Sequence, residues 1–345
     1  MIWLISDTEY GKSVWGYTLR DGLRKELKRK RLNYTERTEP NEATAGDVVF
    51  LIHSDRAMFA RQIAECNARQ IVPILLCGTA QTQLHGRFHC VCASSADALI
   101  EQVHTAHHPA LYGVNPDSAT DMDMLNALRR VTDLPVYWNR TSLRDCFAAF
   151  APHVSEHDRL ICTNDFAAVS LLRNLRALYP VCLPVQIVSC NATVLSACFQ
   201  PDIRALPCDW AGLGKTAAAV MEFVAKNPFI SNLTAAVSAH TASSGVDLAD
   251  EPELRTHAFY ADTELQEMMR VVRLMNQWDE TDRTILPMLL RGDTYDAIAE
   301  RAFLSKSTLQ YRLRRWMDCC EVSDKASLIA VLRPYLGTRD EPQNG

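Results

Sequence analysis

The 345-residue sequence lacks several features that would mark a membrane protein or a common class of enzyme. It has no apolar run close to the roughly 20 residues that a transmembrane helix needs. It has no nucleophile elbow, no H-E-x-x-H zinc motif and no glycine fingerprint of a dinucleotide site. The first residues carry no basic segment of the kind that opens a secretory signal. We therefore expect a cytoplasmic protein that is not an enzyme and needs no cofactor and no membrane.

An excess of positive charge is also absent, since 36 Lys and Arg residues stand against 41 Asp and Glu residues. Any contact with nucleic acid must therefore come from a local basic surface. The twelve cysteines include no C-x-x-C pair, and most lie in apolar, strand-like runs. A free thiol in such a run packs as a small hydrophobic group. These features predict reduced cysteines and no metal site.

From residue 1 to about 238, short β-branched apolar runs alternate with longer amphipathic stretches. This pattern is typical of an α/β fold with parallel strands and crossover helices. The predicted strands are 2–6, 48–53, 71–76, 88–92, 110–114, 135–138, 159–163, 185–190 and 203–206. The predicted helices are 14–30, 56–69, 95–107, 118–130, 165–178 and 210–226. Nine strands are more than most single sheets contain, so we expect two lobes with a cleft at the carboxyl ends of the strands.

The stretch 239–261 loses the apolar periodicity and contains Ser, Gly, Asp and Pro, which predicts a linker. A connector helix is then predicted over 262–278, because four apolar residues recur at 3-4-3 spacing: Leu265, Met268, Val272 and Met275. This stripe fits two alternatives equally, packing on the C-terminal domain or dimerisation. Residues 338–345 are expected to form a tail.

Residues 279–337 carry sharp helix boundaries. A first helix is predicted from Thr281 to Arg291, because Gly292 is a natural C-terminal cap. Thr294 and Ser305 are N-cap residues for two more helices, Tyr295 to Arg301 and Lys306 to about Met317. A short helix, a turn and a second helix in this order predict a helix-turn-helix.

The last of these helices suits DNA, because it has four basic side chains and no acidic one between Ser305 and Trp316. Its exposed face could neutralise phosphates, while Gln310 and Arg312 have the donor geometry to bind adenine or guanine edges. The candidate DNA-binding residues are Lys306, Ser307, Thr308, Gln310, Tyr311, Arg312, Arg314 and Arg315. The alternative is the solvated face of an ordinary helical bundle.

The run from Ile285 to Trp316 resembles the LuxR/GerE-type helix-turn-helix. It matches that pattern at Gly292, at Ile298-Ala299, at Ser305 and at Thr308-Leu309, and it departs from the pattern at Gln310 and Arg312. The resemblance implies a transcription regulator that binds double-stranded DNA as a homodimer.

Three earlier blocks are similar to the sugar-sensing core of the LacI/GalR family and of related periplasmic binding proteins. They are Leu160–Leu175, which contains Asn164-Asp165, then Pro184–Thr193, and Pro201–Met221. The resemblance implies one lobe of about 1–93 and 210–238 and a second of about 94–209. A small-molecule effector, preferably a sugar or polyol, would bind between them.

Ligands of open α/β sheets bind beyond the carboxyl ends of the strands. The polar and aromatic residues at these ends are therefore candidate ligand contacts: Asp7, Tyr10, Ser54, Asp55, Asn115, Asp117, Trp138, Arg140, Asn164, Asp165 and Asn191. Carboxylates and amides would bond hydroxyl groups, and an aromatic ring would stack on a sugar ring. Each polar residue could instead cap the following helix.

Other interpretations stay open. Asp7, Asp55 and Thr79 lie roughly where a phosphorelay receiver places such residues, although a receiver would leave about 110–238 unexplained. The α/β body could also be an enzyme with a regulatory DNA-binding domain. The segment from Gly212 to Thr216 is similar to the end of a phosphate-binding loop, but Asp209 stands where the first glycine is required, so it predicts the start of a helix.

Overall fold

The structure is a computed structural model that describes residues 1–7, 10, 13–80, 83–93, 96–238 and 261–336. Its strands are β1 (Ile2–Ser6), β2 (Thr35–Arg37), β3 (Val48–Ile52), β4 (Ile74–Cys77), β5 (His89–Ala93), β6 (Pro109–Val114), β7 (Val136–Trp138), β8 (Arg159–Cys162), β9 (Gln186–Ala192), β10 (Ile203–Pro207) and β11 (Thr234–Val237). Nearly all of the predicted linker and the predicted tail lie outside the described residues.

The helices of the α/β region are α1 (Val14–Arg29), α2 (Arg56–Ala68), α3 (Ala96–His104), α4 (Ala119–Arg129), α5 (Leu143–Phe150), α6 (Asp165–Leu178), α7 (Val194–Ala197) and α8 (Trp210–Lys226). The C-terminal helices are α9 (Thr263–Asn276), α10 (Glu280–Arg291), α11 (Tyr295–Arg301), α12 (Lys306–Cys320) and α13 (Lys325–Leu336). A short 3-10 helix, Ala151–Glu156, follows α5. Among the described helices, none combines the length and the hydrophobicity needed to cross a bilayer.

The strands form two separate parallel sheets. The first has the order β11-β5-β4-β3-β1-β2 and the second the order β10-β9-β8-β6-β7. In each sheet the chain enters at an interior strand, β1 or β6, and then adds strands on both sides. The loops after β1 and β6 therefore lie at topological switch points, where open α/β sheets form ligand crevices.

The sheets are covered on both faces, which explains their apolar strands. In β3, Phe50 and Ile52 face one hydrophobic cluster, and Val49 and Leu51 face another. Parallel strands covered in this way need apolar residues at every position. All nine predicted strands are present. The sequence prediction missed β2 and β11, which are edge strands of three and four residues, and it also missed the helices α5 and α7.

Glycines allow α1 and α8 to pack closely. A Cβ atom on Gly22 would lie 2.4 Å from the carbonyl oxygen of Ala211, and one on Gly214 would lie 2.2 Å from that of Leu19. The amide of Gly212 donates to the carboxylate of Asp209, which caps α8. The segment from Gly212 to Thr216 thus forms the start of a helix, as predicted, and its glycines also allow a helix contact that the sequence did not predict.

The C-terminal helices have the capping groups that the sequence predicted. Gly292 ends α10 with a φ of 87°, and the side chains of Thr294 and Ser305 cap α11 and α12. Asp279 and Asp282 form a capping box at the start of α10. α11 has the predicted range, α10 begins one residue earlier than predicted, and α12 continues to Cys320. No range was predicted for α13.

The apolar stripe of α9 is buried within its own chain. Leu265, Met268 and Val272 are almost fully buried. On one side α9 packs against α12 and α13, and on the other it contacts α1, α6 and α7. The structure therefore favours packing over dimerisation for this stripe. It also shows a contact with the α/β body that the sequence did not predict.

Candidate ligand cleft and DNA-binding face

Asp7 follows β1 and belongs to a hydrogen-bonded chain at the first switch point. Its Oδ2 atom lies 3.2 Å from Nδ1 of His53, and its Oδ1 accepts from the amide of Tyr10 at 2.5 Å. His53 Nε2 lies 2.6 Å from Oε1 of Gln62. His53 and Gln62 are fully buried, and the sequence prediction missed both. A histidine directly after an apolar strand was the available signal.

The loops after β3 and β6 touch each other across the two sheets. The amide of Ala119 donates to the carbonyl of Ser54 at 2.6 Å, and Asp55 forms an antiparallel bridge with Ser118. The carboxylate of Asp55 caps α2, accepting from the amide of Met58 at 2.6 Å. Asp117 is exposed beside this contact. The structure thus brings Ser54, Asp55 and Asp117 together, with the Asp55 side chain in the capping role that the sequence left open.

Asn164 and Asp165 start α6 and also serve local structure. Asn164 Oδ1 caps the helix by accepting from the amide of Ala167 at 2.9 Å. Asp165 is fully buried, and its Oδ2 accepts from both the amide and the hydroxyl of Thr193. Burial raises the pKa of Asp165 to about 6, although the bonds from Thr193 act in the opposite direction. Its Oδ1 atom has no hydrogen-bond partner among the described residues.

A second buried carboxyl, that of Asp121, lies in the first turn of α4 and was missed by the sequence prediction. It accepts from the amide of Asn115 at 2.9 Å and from the hydroxyl of Ser118 at 3.1 Å. Burial raises the pKa of Asp121 to about 6. This carboxyl holds the loop that carries Asn115 and Asp117 in a fixed shape.

The remaining candidate ligand contacts are Arg140, Trp138, Tyr10 and Asn191. Arg140 is exposed, and its guanidinium carbon lies 5.1 Å from the centroid of the Trp138 ring, which is half-buried at the end of β7. Tyr10 is buried. Asn191 lies in β9, but its side chain is outside the described residues.

An aromatic contact joins the two sheets through their helices. Trp15 of α1 and Phe166 of α6 have ring centroids 5.1 Å apart, and both rings are buried. The sequence prediction contained neither residue. Together with the bridge at Asp55, this contact means that the two halves of the α/β region touch in this structure.

Among the described residues, no group of three His, Cys, Asp or Glu side chains could hold a metal ion. His89, Cys90 and Cys92 of β5 are buried, and burial lowers the pKa of His89. These groups pack as core residues of the first sheet.

The candidate DNA-binding residues of α12 fall into two sets. Seven form an exposed face: Lys306, Ser307, Thr308, Gln310, Tyr311, Arg314 and Arg315. The eighth, Arg312, has a side chain only 22 % exposed, and its Nη1 lies 2.9 Å from carboxylate oxygens of both Asp279 and Asp282. In this structure Arg312 therefore holds α12 against the start of α10.

The exposed face of α12 makes few polar contacts with the rest of the described chain. Lys306 pairs with Asp296 of α11 at 2.8 Å, and Arg315 donates to Gln277 at 3.1 Å. Arg314 makes no ion pair with any described residue. The inner face of α12 buries Leu309, Leu313 and Trp316. The helix is thus anchored on one side and presents polar and basic groups on the other.

The α/β region shares its fold with regulators and solute-binding proteins. A transcription regulator-like protein from Staphylococcus haemolyticus superposes with a TM-score of 0.54 at 13 % identity, over 69 % of this chain and 94 % of that one. A LacI family transcriptional regulator from Mycobacterium smegmatis gives 0.51 at 13 % identity, over 68 % and 94 %. The Caulobacter myo-inositol binding protein, bound to myo-inositol, gives 0.53 at 12 % identity, over 69 % and 90 %.

These similarities establish the fold. The chain has a two-lobed, parallel α/β architecture of the kind seen in LacI-type sensors and periplasmic binding proteins, followed by a C-terminal helical region. No protein-family model and no curated protein matches the sequence.

Proposed function

We propose that the chain is a transcription regulator whose α/β region binds a small polar ligand and thereby controls DNA binding by a C-terminal helix-turn-helix. In this proposal, lobe one comprises about 1–93 and 210–238, lobe two about 94–209, and the DNA-binding domain 279–337. The observation that carries it is the exposed face of α12, which has no acidic side chain up to Trp316, attached to a body whose fold occurs in LacI-family regulators.

The DNA-binding part rests on the geometry of α11 and α12. The cap at Ser305 and the buried residues Leu309 and Leu313 fix the orientation of α12, so that Ser307, Gln310 and Arg314 project outwards at helical spacing. Residues on the N-terminal part of a recognition helix are those that reach base edges in the major groove. Arg314 and Arg315 would neutralise phosphates.

The ligand-binding part rests on the switch points of the two sheets. Asp7, Asp117 and Asn164 follow β1, β6 and β8, at the carboxyl ends of the strands, where open α/β sheets bind ligands. A polar ligand would enter where Asp55 bridges to Ser118 and where Trp15 contacts Phe166, and it would replace these contacts with its own. The fold shared with a protein that binds myo-inositol supports a sugar or polyol as the ligand.

Coupling between ligand and DNA would pass through α9. This helix contacts α1 of lobe one and both α6 and α7 of lobe two, while its other side packs against α12 and α13. A change in the angle between the lobes cannot keep all of these contacts unchanged, so it would shift the C-terminal helices. In a homodimer, such a shift would alter the spacing of two recognition helices, which must match half-sites about 34 Å apart.

The test uses the full-length protein and two assays. Fluorescence anisotropy with random-sequence duplexes at low salt should show binding that weakens steeply as salt rises. A thermal-shift screen against myo-inositol, hexoses and pentoses should show stabilisation by at least one compound. Absence of duplex binding at low salt would refute the regulator proposal, whereas enzymatic turnover of a bound compound would favour an enzyme.

A further inference from the structure

Phe303 combines an exposed aromatic side chain with a left-handed backbone conformation. Its side chain is 95 % exposed, and its φ of +55° places it in the left-handed region. A bulky residue pays a steric cost for that conformation, and an exposed phenyl ring gains nothing from burial. The left-handed conformation ends α11, as it does at the ends of other helices in this chain, but a helix end does not require a large apolar side chain in full contact with water.

The surrounding structure holds Phe303 in this position. It lies in the turn between α11 and α12, where its amide donates to the carbonyl of Glu300 at 3.2 Å. The amide of the next residue, Leu304, donates to the carbonyl of Ala299 at 2.9 Å, and the Leu304 side chain packs against the core. The backbone is therefore fixed while the phenyl ring points into solvent.

Phe303 also borders the exposed face of α12. Ser307 is four positions further along the chain, and four residues span at most about 14 Å. The helix that follows carries four basic side chains and no acidic one up to Trp316. The exposed basic side chains of this face are Lys306, Arg314 and Arg315, and duplex DNA offers opposite charge to them together with apolar carbon groups.

We propose that Phe303 makes an apolar contact with duplex DNA, on thymine methyl groups or deoxyribose carbons at the edge of the groove. This inference rests on the proposed function and extends it, since the candidate DNA-binding residues otherwise comprise the side chains of α12 alone. Apolar contact with the thymine methyl group is an established mode of base recognition.

The test substitutes Phe303→Asn in the full-length protein, because Asn tolerates the left-handed conformation. We expect the dissociation constant for duplexes selected by the wild-type protein from a random pool to rise about tenfold. The salt dependence should stay the same, because no charge is removed. The thermal unfolding midpoint should be unchanged or higher, since backbone strain is relieved. A purely structural role for Phe303 would instead lower the midpoint.

The matched control is Phe229→Asn, which replaces an 82 % exposed phenylalanine in the α/β region and should leave DNA affinity unchanged. Replacing thymine with deoxyuridine in the selected duplex identifies the contact. Wild-type protein should lose affinity on this change, and Phe303→Asn should not, if the methyl group is bound. If both proteins tolerate deoxyuridine while the variant stays weaker, the contact is with deoxyribose.

The outcomes distinguish failure of the proposed regulator function from failure of the proposed role of Phe303. A wild-type protein that binds no duplex would refute the regulator function itself. A wild-type protein that binds, with Phe303→Asn binding equally well, would overturn only the role of Phe303. A variant that changes the oligomeric state in sedimentation and binds DNA normally would show that the ring contacts a second copy, which also overturns it.

Discussion

Arg173 donates a hydrogen bond to the hydroxyl of Tyr335 at 2.9 Å, and its guanidinium carbon lies 4.6 Å from the centroid of the same ring. Arg173 also pairs with Glu264 at 3.2 Å, and the Tyr335 hydroxyl donates to Glu267 at 2.7 Å. Because Arg173 is on α6, whose first turn contains Asp165, one helix joins the candidate cleft to the C-terminal helices.

The change Tyr335→Phe should therefore destabilise the protein. It removes the hydroxyl that links Arg173 to Glu267, so Glu267 loses this hydrogen bond at a partly buried junction while Arg173 keeps its ion pair with Glu264. We expect a loss of about 1–3 kcal/mol in the free energy of unfolding, measured in urea. Tyr311→Phe, at an exposed tyrosine of α12, is the control and should change it by less than about 0.5 kcal/mol. Equal stability of the two variants would contradict this role for the junction.

Arg312 and Arg314 should differ when each is replaced by alanine. Arg312→Ala leaves the largely buried carboxylate of Asp282 without its ion pair, so we expect a loss of stability of about 1–3 kcal/mol. Arg314→Ala removes an exposed guanidinium that has no ion-pair partner in the described chain, so stability should be unchanged.

The two variants should differ again in DNA binding. Arg314→Ala should weaken binding to all duplexes and reduce the slope of log affinity against log salt by about one. Arg312→Ala, assayed where it is fully folded, should keep the wild-type slope. Urea unfolding and anisotropy titrations at several salt concentrations measure both quantities. A reduced slope for Arg312→Ala would show that Arg312 also contacts DNA.

The elements of this fold were predictable because their signals are local. The apolar run of β3 and the capping residues Thr294 and Ser305 are each sufficient to mark an element. Strands β2 and β11 were missed because short edge strands carry no apolar run. Their pairing depends on neighbours, β1 and β5, that are distant in sequence.

The site was less predictable because its roles depend on contacts between distant segments. Sequence alone placed Arg312 on the recognition helix, but only the structure shows that Asp279 and Asp282 occupy its guanidinium. The contact between Trp15 and Phe166 joins residues about 150 positions apart, and no periodicity indicates it. Strand-end residues such as Asp55 were located correctly, while the choice between capping and ligand binding required their hydrogen bonds.

The cysteines should differ in reactivity according to burial. Cys182 is exposed, whereas Cys66, Cys146 and Cys320 are buried. Burial raises the pKa of Cys66 and Cys320 to about 12 and that of Cys146 to about 11, so these thiols hold almost no thiolate at neutral pH. Iodoacetamide on the native protein, followed by peptide mass spectrometry, should label Cys182 and spare the other three. Full labelling in urea is the control, and native labelling of Cys66 would contradict the packing.

The buried carboxyl of Asp165 should make stability depend on pH. Its pKa is raised to about 6 in the folded protein, against about 3.9 in an unfolded chain, so the folded state binds the proton more tightly. The resulting stabilisation is complete below about pH 4 and is lost as the pH rises through 6. For a shift of about two units the loss is at most about 3 kcal/mol. Asp121, whose pKa is raised similarly, adds to the same slope.

Asp165→Asn should therefore reduce the change of folding stability with pH. The amide oxygen can still accept from Thr193, but no charge is buried at neutral pH, so the variant should gain stability relative to wild type at pH 8 and little at pH 4.5. Urea unfolding at both pH values measures the difference. Asp133→Asn, at an exposed carboxylate, is the control and should leave the wild-type slope unchanged. An Asp165→Asn protein with the full wild-type slope would show that Asp165 does not take up a proton in this range.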